Sequence, residues 1–157
     1  MEIFDAENAQ FLLTTEAFEI YSQCMYQPTF DEYKNELTEL ASKPEISIFD
    51  CTYQQENAGI IVLSARPGNS AEILGIAVKD KLKRLGIGKF MINSAAAVLG
   101  LKNITAETDD DAVNFYRRSG FETKAFIRHF PDADVTRYHC SLTLFQNEPR
   151  QNGMNLL

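Results

Sequence analysis

The chain has 157 residues and a mass of 17.7 kDa, with 45% apolar and 24% charged residues, ordinary values for one soluble globular domain large enough to bury a core. Fifteen Lys and Arg against 22 Asp and Glu leave a net charge of -7, which excludes nucleic acid as the main partner, because phosphate binding needs a basic surface, and favours a cationic ligand. Apolar runs are too short for a membrane span, "MEIFDAENAQ" lacks the pattern of a signal peptide, and Cys24, Cys51 and Cys140 form no CxxC or Cys/His cluster, so a cytoplasmic protein with reduced thiols and no zinc is expected.

"MEIFDA" reads as a short first strand. Phe11, Phe18, Tyr21 and Met25 then recur at helical spacing, and "TFDEYKNELTEL" repeats the pattern through Phe30, Tyr33, Leu37 and Leu40, with Thr29 as its N-cap and Pro44 beyond its end. This aromatic face suits core packing better than a substrate wall. "EISIFDCTY", "NAGIIVLSA" and "AEILGIAV" are strand-like, separated by the turn signals "QQEN" and "RPGNS", and predict an antiparallel meander. A helix over "LGIGKFMINSAAAVLGL", the strand "NITAET", a helix over "DDAVNFYRRSG" closed by Gly120, and the strands "FETKAFIR" and "RYHCSLTLF" follow. That order predicts an α/β fold: a mixed, mostly antiparallel sheet flanked by helices, with one parallel crossover. A single domain over 1–146 is expected, with a mobile tail over 147–157.

"KRLGIGKF" places Gly86 and Gly88 after an apolar strand. A dinucleotide fingerprint fails because Met91 stands where a third glycine belongs, and a Walker loop fails at Lys83 and Phe90. The local physics remains: free N–H groups from Leu85 to Lys89 at a helix start, with Lys83, Arg84 and Lys89 adding positive charge, suit a pyrophosphate. A plain tight turn is the competing reading. The acids of "TDDD" are better read as a helix cap than as a metal site, since no other ligand cluster accompanies them.

"IAVKDKLKRLGIGKFMI" followed by "ITAETDDDAVNFYRRSGF" resembles the GNAT superfamily of acyl-CoA N-acyltransferases over residues 58–126. The family's Gln/Arg-x-x-Gly-x-Gly/Ala loop corresponds to Lys83, Arg84, Leu85, Gly86, Ile87 and Gly88, with Lys in the first place. Lys keeps the charge and loses the planar fork. The second block corresponds to Asp109, Ala112, Tyr116, Gly120 and Phe121, with Asp in place of Asn. The resemblance implies that Lys83–Lys89, Asp109, Ala112, Phe115 and Tyr116 hold acetyl-CoA, the acyl donor, with no metal. It also implies that backbone around Ile76, Ala77 and Val78 holds the acyl carbonyl and pantetheine arm, near a bulge at Gly75.

The implied activity is acetyl transfer from acetyl-CoA to a primary amine, by direct attack in a ternary complex. Tyr116 is the candidate acid for the leaving thiolate, against a reading as a core aromatic. Glu72 is the candidate base, against an exposed strand-end acid, and Glu107 is a second candidate. Tyr21, Tyr26, Tyr33 and the segment "HFPDADVT", with Asp132 and Asp134, are expected to shape the acceptor site. The acceptor is a small-molecule or peptide amine, and a homodimer is left open. The alternatives are an acyl-CoA-binding regulatory module with weak or no catalysis, and a structural interaction protein.

Overall fold

A computed structural model describes residues 1–5 and 10–144; the expected tail lies outside the described residues. The strands are β1 (Glu2–Asp5), β2 (Ile46–Tyr53), β3 (Glu56–Arg66), β4 (Ser70–Val78), β5 (Asn103–Thr108), β6 (Glu122–His129) and β7 (Asp134–Thr143). They form one sheet in the order β1-β2-β3-β4-β5-β7-β6, antiparallel except where β4 pairs with β5. The helices are α1 (Thr15–Tyr21), α2 (Phe30–Ala41), α3 (Ile87–Leu99) and α4 (Val113–Arg118). Short 3-10 turns at Phe11–Leu13 and Ser22–Cys24 flank α1, so the first amphipathic stretch is a broken helix instead of a continuous one.

Alternation along β3 shows how the core is divided. Ile61 and Leu63 pack against Met91, Ile92 and Ala95 of α3, and Ile60 and Val62 pack against Ala17, Ile20, Tyr33 and Leu37 of α1 and α2. Side chains of a strand alternate between faces, so α3 and α4 cover one face and α1 and α2 the other. The aromatic stripe is therefore core. Tyr33 is fully enclosed and its hydroxyl donates to Leu12 O at 2.5 Å. Thr29 caps α2 with a capping box to Glu32, and Gly100 ends α3 in the left-handed region at φ 63°.

The same alternation exposes an irregularity in β4. Ala71 and Ile73 face α3, but so do Ile76 and Val78, two even-numbered residues. One extra residue must intervene. The register confirms it: Leu63 opposes Ile73 and Val62 opposes Gly75, leaving Leu74 as a bulge. The β4–β5 ladder runs only from Ser70–Asn103 to Ile73–Ala106 and stops at this bulge. Beyond it the two strands part, leaving a gap in the sheet.

Candidate active site

The gap is a cleft of about 1020 Å³, bordered by Leu74–Val78 of β4, Glu107 and Thr108 at the end of β5, the loop before α3, and Phe115 and Tyr116 of α4. Lys79 N bonds Ala58 O in the neighbouring strand, so along β4 the backbone of Ala77 turns toward β3 and that of Ile76 and Val78 turns toward the gap. Gln23 Nε2 reaches Val78 O at 3.3 Å and Cys24 Sγ donates to Ile76 O at 3.0 Å, from the turn after α1. Of the expected backbone contacts, the N–H groups of Ile76 and Val78 thus face the gap without a partner among the described residues while their carbonyls accept from Cys24 and Gln23, and Ala77 lines the cleft with its backbone committed to the sheet.

At one end of the cleft, Arg84 and Gly86 both have positive φ, 67° and 79°, turning the chain into α3. The first helical bond is Phe90 N to Gly86 O, and the N–H groups from Leu85 to Lys89 have no partner among the described residues. Gly86 is a glycine because of its backbone conformation, and the space where its side chain would stand is open. Gly88 has a different reason: a Cβ there would lie 2.6 Å from the Phe115 ring. Gly88 therefore serves the packing of α3 against α4, and it also borders the cleft. Lys83 is paired with Asp80 at 2.6 Å, whereas Arg84 and Lys89 have no ion-pair partner among the described residues.

Asp109 and Ala112 border the cleft, and Asp109 Oδ1 accepts the N–H groups of Asp111 and Ala112, capping the turn that leads into α4. No group of three or more metal-ligating side chains exists among the described residues. Tyr116 is 6% exposed, packs edge-on against Phe115 and Phe121, and borders the cleft; its hydroxyl has no hydrogen-bond partner among the described residues. Burial pushes its phenol well above the ordinary value, so it stays protonated. Cys24 is an exposed residue, but desolvation of its thiol against Ile76 O pushes it up to about 11, leaving it a hydrogen-bond donor and not a thiolate.

Glu72 is not brought to the cleft. It lies in the paired part of β4, opposite Ser64 and Thr105, and forms an ion pair with Arg66. Glu107 does border the cleft, but both its oxygens are engaged, one by Arg128 at 2.8 Å and one by Arg137 at 3.1 Å. "HFPDADVT" is no open loop: β6 and β7 join by a tight turn closed by Phe130 N to Ala133 O, and Asp134 pairs with His129. Tyr26 is almost wholly exposed. Sequence reasoning missed Gln23 and Cys24, which sit in a turn without periodicity. It also missed Arg137, which the alternation of "RYHCSLTLF" could have placed on the same face as Glu107.

Residues 12–121 match the model of the Acetyltransferase (GNAT) family. A Bacillus subtilis (strain 168) protein named "Uncharacterized N-acetyltransferase YvbK" is 33% identical over 91 residues, covering 51% of this chain and 58% of that relative's length. The ribosomal-protein-S18-alanine N-acetyltransferase of Escherichia coli has a similar fold at 18% identity, with a TM-score of 0.68, over 99% of this chain and 98% of the other. A GNAT family acetyltransferase of Elizabethkingia anophelis, solved with acetyl-CoA bound, is 16% identical with a TM-score of 0.61, over 91% and 97% of the two chains. With the family model covering most of the chain and the fold shared end to end, the protein belongs to the GNAT acetyltransferase family.

Proposed function

We propose that the protein is an N-acetyltransferase that moves the acetyl group of acetyl-CoA to a primary amine by direct attack in a ternary complex. One observation carries this: a single gap in the sheet runs from the unpartnered N–H groups before α3, past the gap-facing backbone of Ile76 and Val78, to the unpartnered hydroxyl of Tyr116. The first would hold the pyrophosphate. Val78 N–H would donate to the pantetheine arm as a neighbouring strand would, and Ile76 N–H would face the acyl end of the donor. Tyr116 would stand where the thioester ends.

Alkyl amines have a reference pKa of about 10.4, so on the order of one molecule in a thousand is neutral at pH 7. The acidic protein attracts the cation, and the nucleophile forms when its proton leaves. Glu72 is tied to Arg66 away from the cleft, and Glu107 is held by two guanidinium groups. Solvent water at the open mouth therefore takes the proton, and Glu107 orders Arg137 beside the acceptor. Tyr116 gives its proton to the departing thiolate and regains one from solvent. A reducing compartment suits the three unpaired thiols.

A panel of small amines and peptides, assayed by release of CoA thiol and by mass of the acetylated amine, tests this reading. Amine-dependent release supports it. Tight CoA binding without turnover on any amine would replace it with a donor-binding module.

A further inference from the structure

A second phenol stands at the point where β4 and β5 part, and the roles assigned above leave it unused. Tyr21 ends α1, is 3% exposed, and packs against Tyr33 with ring centroids 6.4 Å apart. Its hydroxyl sits against Gly75, the residue just after the bulge, in the space that a Cβ on residue 75 would occupy. Gly75 borders the cleft. A glycine here is the condition for the hydroxyl to come this close to the backbone.

That hydroxyl has no hydrogen-bond partner among the described residues, yet every polar side-chain atom sealed from solvent among them has one. The Tyr21 oxygen is therefore still reachable from outside, although its ring is enclosed. A hydroxyl open to the outside on an otherwise enclosed ring is free to donate to a ligand. Tyr116 is in the same state on the other face of the sheet: Tyr21 belongs to the α1–α2 core and Tyr116 to the α3–α4 core. Tyr116 thus borders the gap directly, and the Tyr21 hydroxyl meets it from the opposite face at Gly75. Burial keeps Tyr21 protonated, so it is a donor at any physiological pH.

Resting on the acetyl-transfer reading, we propose that Tyr21 is a catalytic residue whose hydroxyl, together with the gap-facing N–H of Ile76, donates a hydrogen bond to the acyl oxygen. The amine lone pair forms the N–C bond while the carbonyl π pair moves onto oxygen. Tyr21 and Ile76 stabilise that oxyanion. On collapse the pair returns, the C–S bond breaks, the amine proton leaves to water, and Tyr116 protonates the sulfur. Donors aimed at a developing oxyanion act on the transition state more than on the ground state.

The test uses Tyr21→Phe, which keeps the ring and removes the hydroxyl, in two measurements on the full chain. Turnover at saturating acetyl-CoA and amine is expected to fall by about tenfold to a hundredfold with CoA affinity unchanged. The infrared carbonyl band of bound ¹³C-acetyl-CoA is expected to shift toward its free-solution position in the variant, a change that loss of packing alone does not produce. An unchanged band, with or without slower turnover, overturns the proposal. A wild-type protein that binds acetyl-CoA and acetylates no amine overturns instead the reading it rests on.

Discussion

Gly88→Ala tests whether the second glycine of the loop answers to Phe115 or to a ligand. The new Cβ would meet Phe115 Cε2 at 2.6 Å and Cζ at 2.9 Å, about 1 Å inside ordinary contact. Phe115 cannot retreat toward Tyr116, whose ring lies edge-on at 5.1 Å, so it must move toward the cleft it lines. Such overpacking costs about 1–3 kcal/mol, offset by about 1 kcal/mol because alanine favours a helix over glycine. The net loss of about 0–2 kcal/mol lowers Tm by up to ~8 °C for a chain of this length. The displaced ring is expected to weaken CoA binding by about tenfold, equivalent to about 1.4 kcal/mol. In a Phe115→Ala background the clash is gone and Gly88→Ala should become stabilising, giving a coupling of about 1–3 kcal/mol in a double-mutant cycle of thermal or denaturant unfolding. Additive effects of the two substitutions would refute this account of Gly88.

Tyr116→Phe should lower turnover by about tenfold or more with CoA affinity little changed, and an unchanged rate removes Tyr116 from the acid role. Tyr33→Phe leaves Leu12 O buried without its donor, so a loss of about 1–3 kcal/mol in denaturant unfolding is expected, with no change in CoA affinity. Asn57 and then Lys79 hold the Glu16 carboxyl below its ordinary 4.5, and Lys81 and then Lys79 do the same for Glu56. A depressed carboxyl stabilises the fold above its unfolded pKa and loses that contribution as pH falls through the folded value. Stability should therefore fall on acidification below about pH 4.5, and less steeply in Glu16→Gln and Glu56→Gln; curves parallel to wild type would count against this network.

Much of the fold could be read from local pattern. Thr29 as a cap, the three-strand meander, the helix from the glycine loop to Gly100 and the parallel crossover each follow from spacing that the structure retains. Gly75 signalled a bulge, although the extra residue is Leu74. What spacing could not convey is side-chain pairing across the sheet. Glu72 looked like a base at the start of a strand, but Arg66, on the neighbouring strand, claims it. Gln23 and Cys24 reach β4 across more than fifty residues of sequence, and Tyr21 meets Gly75 only because α1 lies on that face. Such contacts depend on the assembled fold.

The central claim is that the parted strands β4 and β5 hold acetyl-CoA, with its pyrophosphate before α3 and its thioester near the bulge. An amide nitrogen–proton NMR titration with acetyl-CoA tests it residue by residue. The account predicts large shifts at Leu85–Lys89, Ile76 and Val78, and little change at the opposite end of the sheet around Gly68–Ser70. Saturable binding that leaves Ile76 and Val78 unmoved would contradict it.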